Sequence, residues 1–174
     1  HLSIRRQRQM CIRDRYNGGR LKYVKDYYDA VSQFYISLPT PVMAGVRTPT
    51  RQFSSCVLIE SGDSLDSINA TSTSVVRYIS KKAGIGIGAG SIRAAGARVG
   101  DGSIVHTGLI PFLKYFQAAV KSCSQGGVRG GAATVYLPVW HYEFEDLVVL
   151  KNNKGTEETR VRHMDYAFQL NKLM

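Results

Sequence analysis

Apolar residues along the chain recur at helical and at extended periods in turn. Leu21, Val24, Tyr27, Tyr28, Val31 and Phe34 fall three or four residues apart and predict an amphipathic helix over 21–34. The stretch from Tyr35 to Met43 holds Pro39 and Pro41, and reads as an extended segment or loop. Ser55–Glu60 reads as a short apolar strand stopped at Gly62. A helix follows, with Asp63 or Ser64 as its N-cap and Leu65, Ile68, Ser72, Val75, Val76 and Ile79 on one face.

Glycine then breaks the pattern. Ala83–Gly90 alternates glycine with small or β-branched residues, which excludes a stable helix, and Arg93–Gly102 forms a further glycine-containing loop. A second strong helix is predicted over 108–122, with Leu109, Phe112, Leu113, Phe116 and Val120 inward and Pro111 in its first turn. It runs into the glycine-rich loop 125–131. Residues 132–140 read as a buried strand, 142–150 as a helix, and 160–173 as either a strand or a helix. No repeat and no linker divides the chain, so a single α/β domain is expected.

The composition, 44% hydrophobic and 21% charged, excludes wholesale disorder, a collagen-like chain and a coiled-coil rod. A net charge of +10 points to a polyanionic partner: nucleic acid, a nucleotide or an acidic membrane surface. That charge is uneven. Residues 1–15 carry Arg5, Arg6, Arg8, Arg13 and Arg15 against Asp14 alone, and read either as a solvated arm or as a non-native tail. The run RQRQMCIRDR resembles translated sequencing-adaptor read-through, so native sequence is expected to begin near Tyr16 and the tail to be disordered. The ending at Leu173–Met174, without a cap or turn, is read as a truncation.

Three cysteines, Cys11, Cys56 and Cys123, without a CxxC, argue against a disulfide framework and for a reducing compartment, the cytoplasm. Four scattered histidines lack metal-ligand spacing, so no metal site is expected from this chain alone. No apolar run approaches the length of a membrane span.

Three features remain as candidate chemistry. The Gly84–Gly90 run has neither the preceding strand nor the spacing of a dinucleotide fingerprint, and close approach of its backbone to a ligand or a neighbouring strand is the better explanation. The 125–131 loop lacks a Walker ending, leaving a phosphate-reaching Arg129 or a plain surface hairpin. Cys56 is either a small buried hydrophobe or a redox thiol, and Cys123 is a possible second thiol.

Longer motifs carry a resemblance. Ser37–Pro41, Gly45–Glu60, Gly62–Ile68, Ser122–Ala133, Pro138–His141, Leu150–Gly155 and Arg160–Tyr166, in unbroken order, resemble the large (α) subunit of class Ia ribonucleoside-diphosphate reductase. The resemblance implies a fragment of a ten-stranded α/β barrel, the first half of the catalytic barrel, over 16–174. It implies reduction of ribonucleoside diphosphates to deoxyribonucleoside diphosphates by a radical mechanism, with Cys56 as one of a redox-active thiol pair. It assigns Thr40, Ser55, Ala83 and Gly84 to the substrate. Asp63, Ser64, Leu65, Ser80 and Arg93 fall to a specificity effector, a dNTP or ATP. Cys123, Gln125 and Arg129 fall to the loop relaying effector identity to the substrate base.

Implied partners are a second α subunit, a β subunit supplying the radical from a di-iron centre, and thioredoxin or glutaredoxin as reductant. Neither nucleic acid nor a membrane is implied. Relatives often carry a phosphate-binding arginine where this chain has Gly100, with Arg98 two residues away. The radical cysteine, the partner thiol of Cys56 and the flanking catalytic residues are expected beyond Met174, so the fragment is expected to be inactive alone. The alternative is a dNTP-binding, dimerising fragment without catalysis. A nucleic-acid binder rests on charge alone.

Overall fold

The computed structural model describes residues 19–46, 48–49, 52–125 and 129–172, and of Arg20, Gln125 and Arg129 the backbone only. The arginine-rich 1–15 tail lies outside these residues. The chain separates into two compact units, His1–Phe53 and Ser54–Met174, although the sequence shows no linker between them.

In the first unit, α1 (Arg20–Ser32) forms where the period predicts a helix, but its Leu21, Tyr23, Val24, Tyr27 and Tyr28 are exposed. The expected extended segment is partly wrong, because Thr40–Gly45 is a short helix, α2. Pro39 is its extended N-cap and Pro41 stands in its first turn, where the missing N–H forfeits no helical hydrogen bond. Prolines that bar a helix interior here start one.

The second unit is built on a parallel sheet of β1 (Cys56–Glu60), β2 (Gly84–Gly88), β7 (Ala133–Pro138) and β8 (Asp165–Gln169), in that spatial order. β2 is the correction to the glycine reading, since Gly84–Gly88 is an inner strand and not a loop. Its glycines meet neighbouring side chains closely. A Cβ on Gly86 would come within 2.5 Å of Leu58 Cδ2 and 3.0 Å of Tyr136 Cε2, and one on Gly88 would overlap the Glu60 carboxylate.

Parallel strands need crossovers, and the long ones are helices. α3 (Leu65–Ser80) joins β1 to β2, and α4 (Leu109–Ser122) lies between β2 and β7. α3 begins at Ser64, whose hydroxyl accepts the Ser67 N–H at 3.2 Å, so Ser64 and not Asp63 is the cap. It buries Ile68, Thr71, Ser72, Val75 and Ile79, while Leu65, expected on that face, is 67% exposed.

α4 buries Leu109, Leu113, Phe116, Ala119 and Val120. These residues form one core with Ile85 and Ile87 of β2 and Val135 and Leu137 of β7. Among the described residues only one face of the sheet is covered, for β1 alternates exposed Cys56, Leu58 and Glu60 with half-buried Val57 and Ile59. Smaller pieces complete the unit: the hairpins β3 (Arg98–Val99) with β4 (Ile104–Val105) and β5 (Ser124–Gln125) with β6 (Arg129–Gly130), and the short helix α5 (Phe144–Val148).

Candidate functional site

Both crossover helices leave the carboxyl end of one strand and return to the amino end of the next, so α3 and α4 each link the two ends of the sheet. The candidate residues of the second unit divide between those ends.

At the amino end, Cys56 opens β1 and stands in register with Gly84, the first residue of β2. The Gly84 N–H donates to the Ser55 carbonyl at 2.7 Å, and a Cβ on Gly84 would sit 3.8 Å from Cys56 Sγ. Ala83 is buried and donates its N–H to the Tyr78 carbonyl. Ser55, Cys56, Ala83 and Gly84 are therefore contiguous. Cys56 is exposed, which excludes the small-buried-hydrophobe alternative: its position at the strand start, on the uncovered face, leaves the thiol open to reagents. Thr40 begins α2 in the first unit.

The same end holds the glycine-flanked hairpin. Half-buried Cys123 is the extended C-cap of α4, with the Ser122 hydroxyl 3.8 Å from its sulfur. Ser124 pairs with Gly130 and Gln125 with Arg129. Gly131 presses the hairpin's root onto the helix ends, so that a Cβ there would lie 3.0 Å from Ile79 of α3 and overlap the Val120 carbonyl of α4. Ser80, the last residue of α3, donates its hydroxyl to the Arg77 carbonyl at 2.8 Å. It lies a 16-residue helix away from Ser64, or roughly 24 Å at 1.5 Å per residue. Within this chain Ser80 therefore stands at this end of α3, and not beside Asp63, Ser64 and Leu65.

At the carboxyl end, Asp63 and Arg93 form a clasp. Arg93 donates its backbone N–H to Asp63 Oδ1 at 2.8 Å and its Nε to Oδ2 at 2.5 Å, while Nη1 reaches the Arg98 carbonyl at 3.0 Å. Burial pushes the Asp63 carboxyl up, but the Arg93 hydrogen bonds, with the charges of Arg93 and His106, outweigh it and hold the group below its ordinary value. Ser64 and exposed Leu65 follow directly. Here an arginine beside a capped helix start and an exposed apolar side chain can meet a phosphate, a hydroxyl and a flat ring together.

Gly100 takes a φ of +63° with open space around it, and the Arg98 side chain lies along Gly102, its Cδ 3.5 Å from where a Cβ would stand. His141 and Glu143, absent from the sequence candidates, bond to the Arg93 segment and the start of α4 across 49 and 34 residues, a distance at which local pattern carries no signal. Among the described residues no group of three or more His, Cys, Asp or Glu could hold a metal ion, and no helix is long and apolar enough to cross a membrane.

A family model for the ribonucleotide reductase barrel domain matches residues 54–174. The chain belongs to this family. Curated ribonucleotide reductase relatives agree. The chain is 72% identical over 155 residues to the ribonucleoside-diphosphate reductase subunit alpha of Haemophilus influenzae, and 71% identical to subunit alpha of reductase 1 of Escherichia coli. It is 69% identical to the subunit alpha of enterobacteria phage T4.

Each alignment covers 89% of this chain but only 20% or 21% of the relative, so the chain spans about a fifth of their length. The fold is also similar to a solved class Id ribonucleotide reductase alpha subunit from Actinobacillus ureae. That match has a TM-score of 0.70 at 21% identity, covering 88% of this chain and 26% of that one.

Proposed function

We propose that this chain is part of the catalytic barrel of a ribonucleoside-diphosphate reductase large subunit, the intact protein reducing ribonucleoside to deoxyribonucleoside diphosphates. One observation carries the reading: an exposed thiol, Cys56, beside the Ser55 carbonyl and the open backbone of Gly84. In this reading Cys56 and a second thiol outside this chain give up two electrons and two protons as they close to a disulfide, and the ribose 2′-oxygen leaves as water. Thioredoxin or glutaredoxin restores the pair by exchange.

In this reading the Ser55 hydroxyl donates to the substrate's oxygens, and Ala83 and Gly84, whose N–H groups already bond to the Tyr78 and Ser55 carbonyls, line the substrate as small residues that leave it room. Thr40, in the first unit, is assigned to the substrate by the family resemblance. Asp63, Ser64 and Leu65 receive the sugar and base of a dNTP or ATP effector, and Arg93 its phosphates. Arg98 supplies a second cation in place of an arginine at position 100. Ser80, at the other end of α3, is assigned to the same effector by the family resemblance. α3 and α4 carry effector occupancy to the Cys123–Arg129 hairpin, where Gln125 and Arg129 read the base. The radical comes from a separate di-iron β subunit, and the α subunit works as a homodimer in the cytoplasm.

In the complete subunit carrying this segment, Cys56→Ser is expected to abolish dithiol-dependent formation of deoxynucleotide, and unchanged turnover would refute the assignment. The 174-residue chain alone, given a β subunit, a nucleoside diphosphate and a dithiol, is expected to form none. The Asp63–Arg93 clasp supports a second reading, a chain that binds a dNTP without catalysis. A thermal shift with dTTP that is lost in Arg93→Ala supports effector binding, and no shift at millimolar dTTP speaks against it.

A further inference from the structure

We infer that His141 and Glu143 form a bracket that positions the segment carrying Arg93. The peptide group between Ile92 and Arg93 is gripped from two sides. Its carbonyl oxygen lies 2.9 Å from His141 Nε2, and its N–H donates to Asp63 Oδ1 at 2.8 Å. His141 Nδ1 in turn accepts the Glu143 N–H at 3.2 Å. An amide N–H only donates, so Nδ1 carries no proton. A carbonyl only accepts, so Nε2 carries one. Both contacts select the same neutral tautomer, and Ile92, 1% exposed, places the bonded carbonyl in the interior.

Glu143 secures the other end of the segment. Its Oε2 accepts the Leu109 N–H at the start of α4 at 2.9 Å. Gly108, at φ +95°, clears the way, since a Cβ there would overlap Glu143 Oε1. The turn after β7 therefore holds residues 92–108 at both ends, and through the shared peptide it sets the direction in which Arg93 leaves the backbone. His141 and Glu143 are positioning residues, acting through Arg93. The consequence for anion binding rests on the phosphate reading of Arg93, whereas the bracket itself does not.

The test uses the 174-residue chain. Nitrogen NMR of the wild type is expected to find His141 protonated at Nε2, and a proton on Nδ1 overturns the proposal without any variant. His141→Asn puts its amide near the Nδ1 position and stops short of Ile92, whereas His141→Gln reaches the carbonyl. Hydrogen exchange of the Arg93 amide should quicken by roughly tenfold in His141→Asn and recover in His141→Gln, with α3 and α4 core amides unchanged.

Tripolyphosphate affinity should fall and recover in step. Wild-type exchange at Arg93 in folded His141→Asn overturns the bracket, and if that variant does not fold, the wild-type tautomer decides. Arg93→Ala separates the two readings: undiminished tripolyphosphate binding there defeats the phosphate reading, while the exchange measurements still judge the bracket.

Discussion

At the scale of single residues, Asp63 sets a pH dependence. Its carboxyl is held below the ordinary 3.8 because Arg93 outweighs the effect of burial. A carboxyl lowered in the folded state stabilises the fold at pH values above the unfolded pKa, and that contribution is lost as pH falls through the lowered value. The difference in thermal midpoint between wild type and Arg93→Ala is therefore expected to stay constant from neutrality to about pH 4 and to shrink below it. A difference that vanished near pH 6 would show that another group controls the clasp. Both partners are about one-third exposed, so the difference will be small, and its pH profile is the informative quantity. Asp63 stood out in the sequence as a possible cap. Its actual role needs Arg93, thirty residues on, and no local pattern connects the two.

At the scale of elements, Gly131 and Gly96 make a controlled pair. Gly131 joins the β5–β6 hairpin to the ends of α3 and α4, and an added Cβ would overlap the Val120 backbone carbonyl, which cannot swing aside as a side chain can. Gly96 has open space around it but a φ of +83°. Gly96→Ala should cost about 1–2 kcal/mol from the left-handed backbone alone. Gly131→Ala should cost more, about 3 kcal/mol or above, by forcing helix and hairpin apart. Denaturant unfolding ranks the two, and equal costs would contradict the close approach.

The elements also show what a single sequence displays. α3 and α4 were readable because their apolar residues recur within the helix itself. β2 was not, because Ile85 and Ile87 become a strand only by pairing with β1 and β7, and glycine has no strand preference to announce it. α2 was missed because a proline reads as a breaker unless its place within the helix is known. Of the site, the contiguity of Cys56 with Gly84 came from family resemblance and strand register, while the His141–Glu143 bracket required the fold.

At the scale of the larger unit, Ser54–Met174, the sheet has two unequal faces. Helices cover one. On the other, Leu58 is 77% and Tyr136 44% exposed, flanking the bare backbone of Gly86, and β1 and β8 are the edges of the described sheet. An apolar stripe between open strand edges favours association of one sheet with another. The isolated chain is therefore expected to self-associate with rising concentration in sedimentation velocity. Leu58→Lys should raise the monomer fraction, because its aliphatic stem can lie over Gly86 as the leucine does while its ammonium stays in water. The same change should leave the thermal midpoint nearly unaltered, since Leu58 lies outside the core formed by α3, α4, β2 and β7. If the lysine variant associates as strongly as the wild type, the contact lies elsewhere, and the exposed apolar side of α1 in the first unit becomes the surface to alter next.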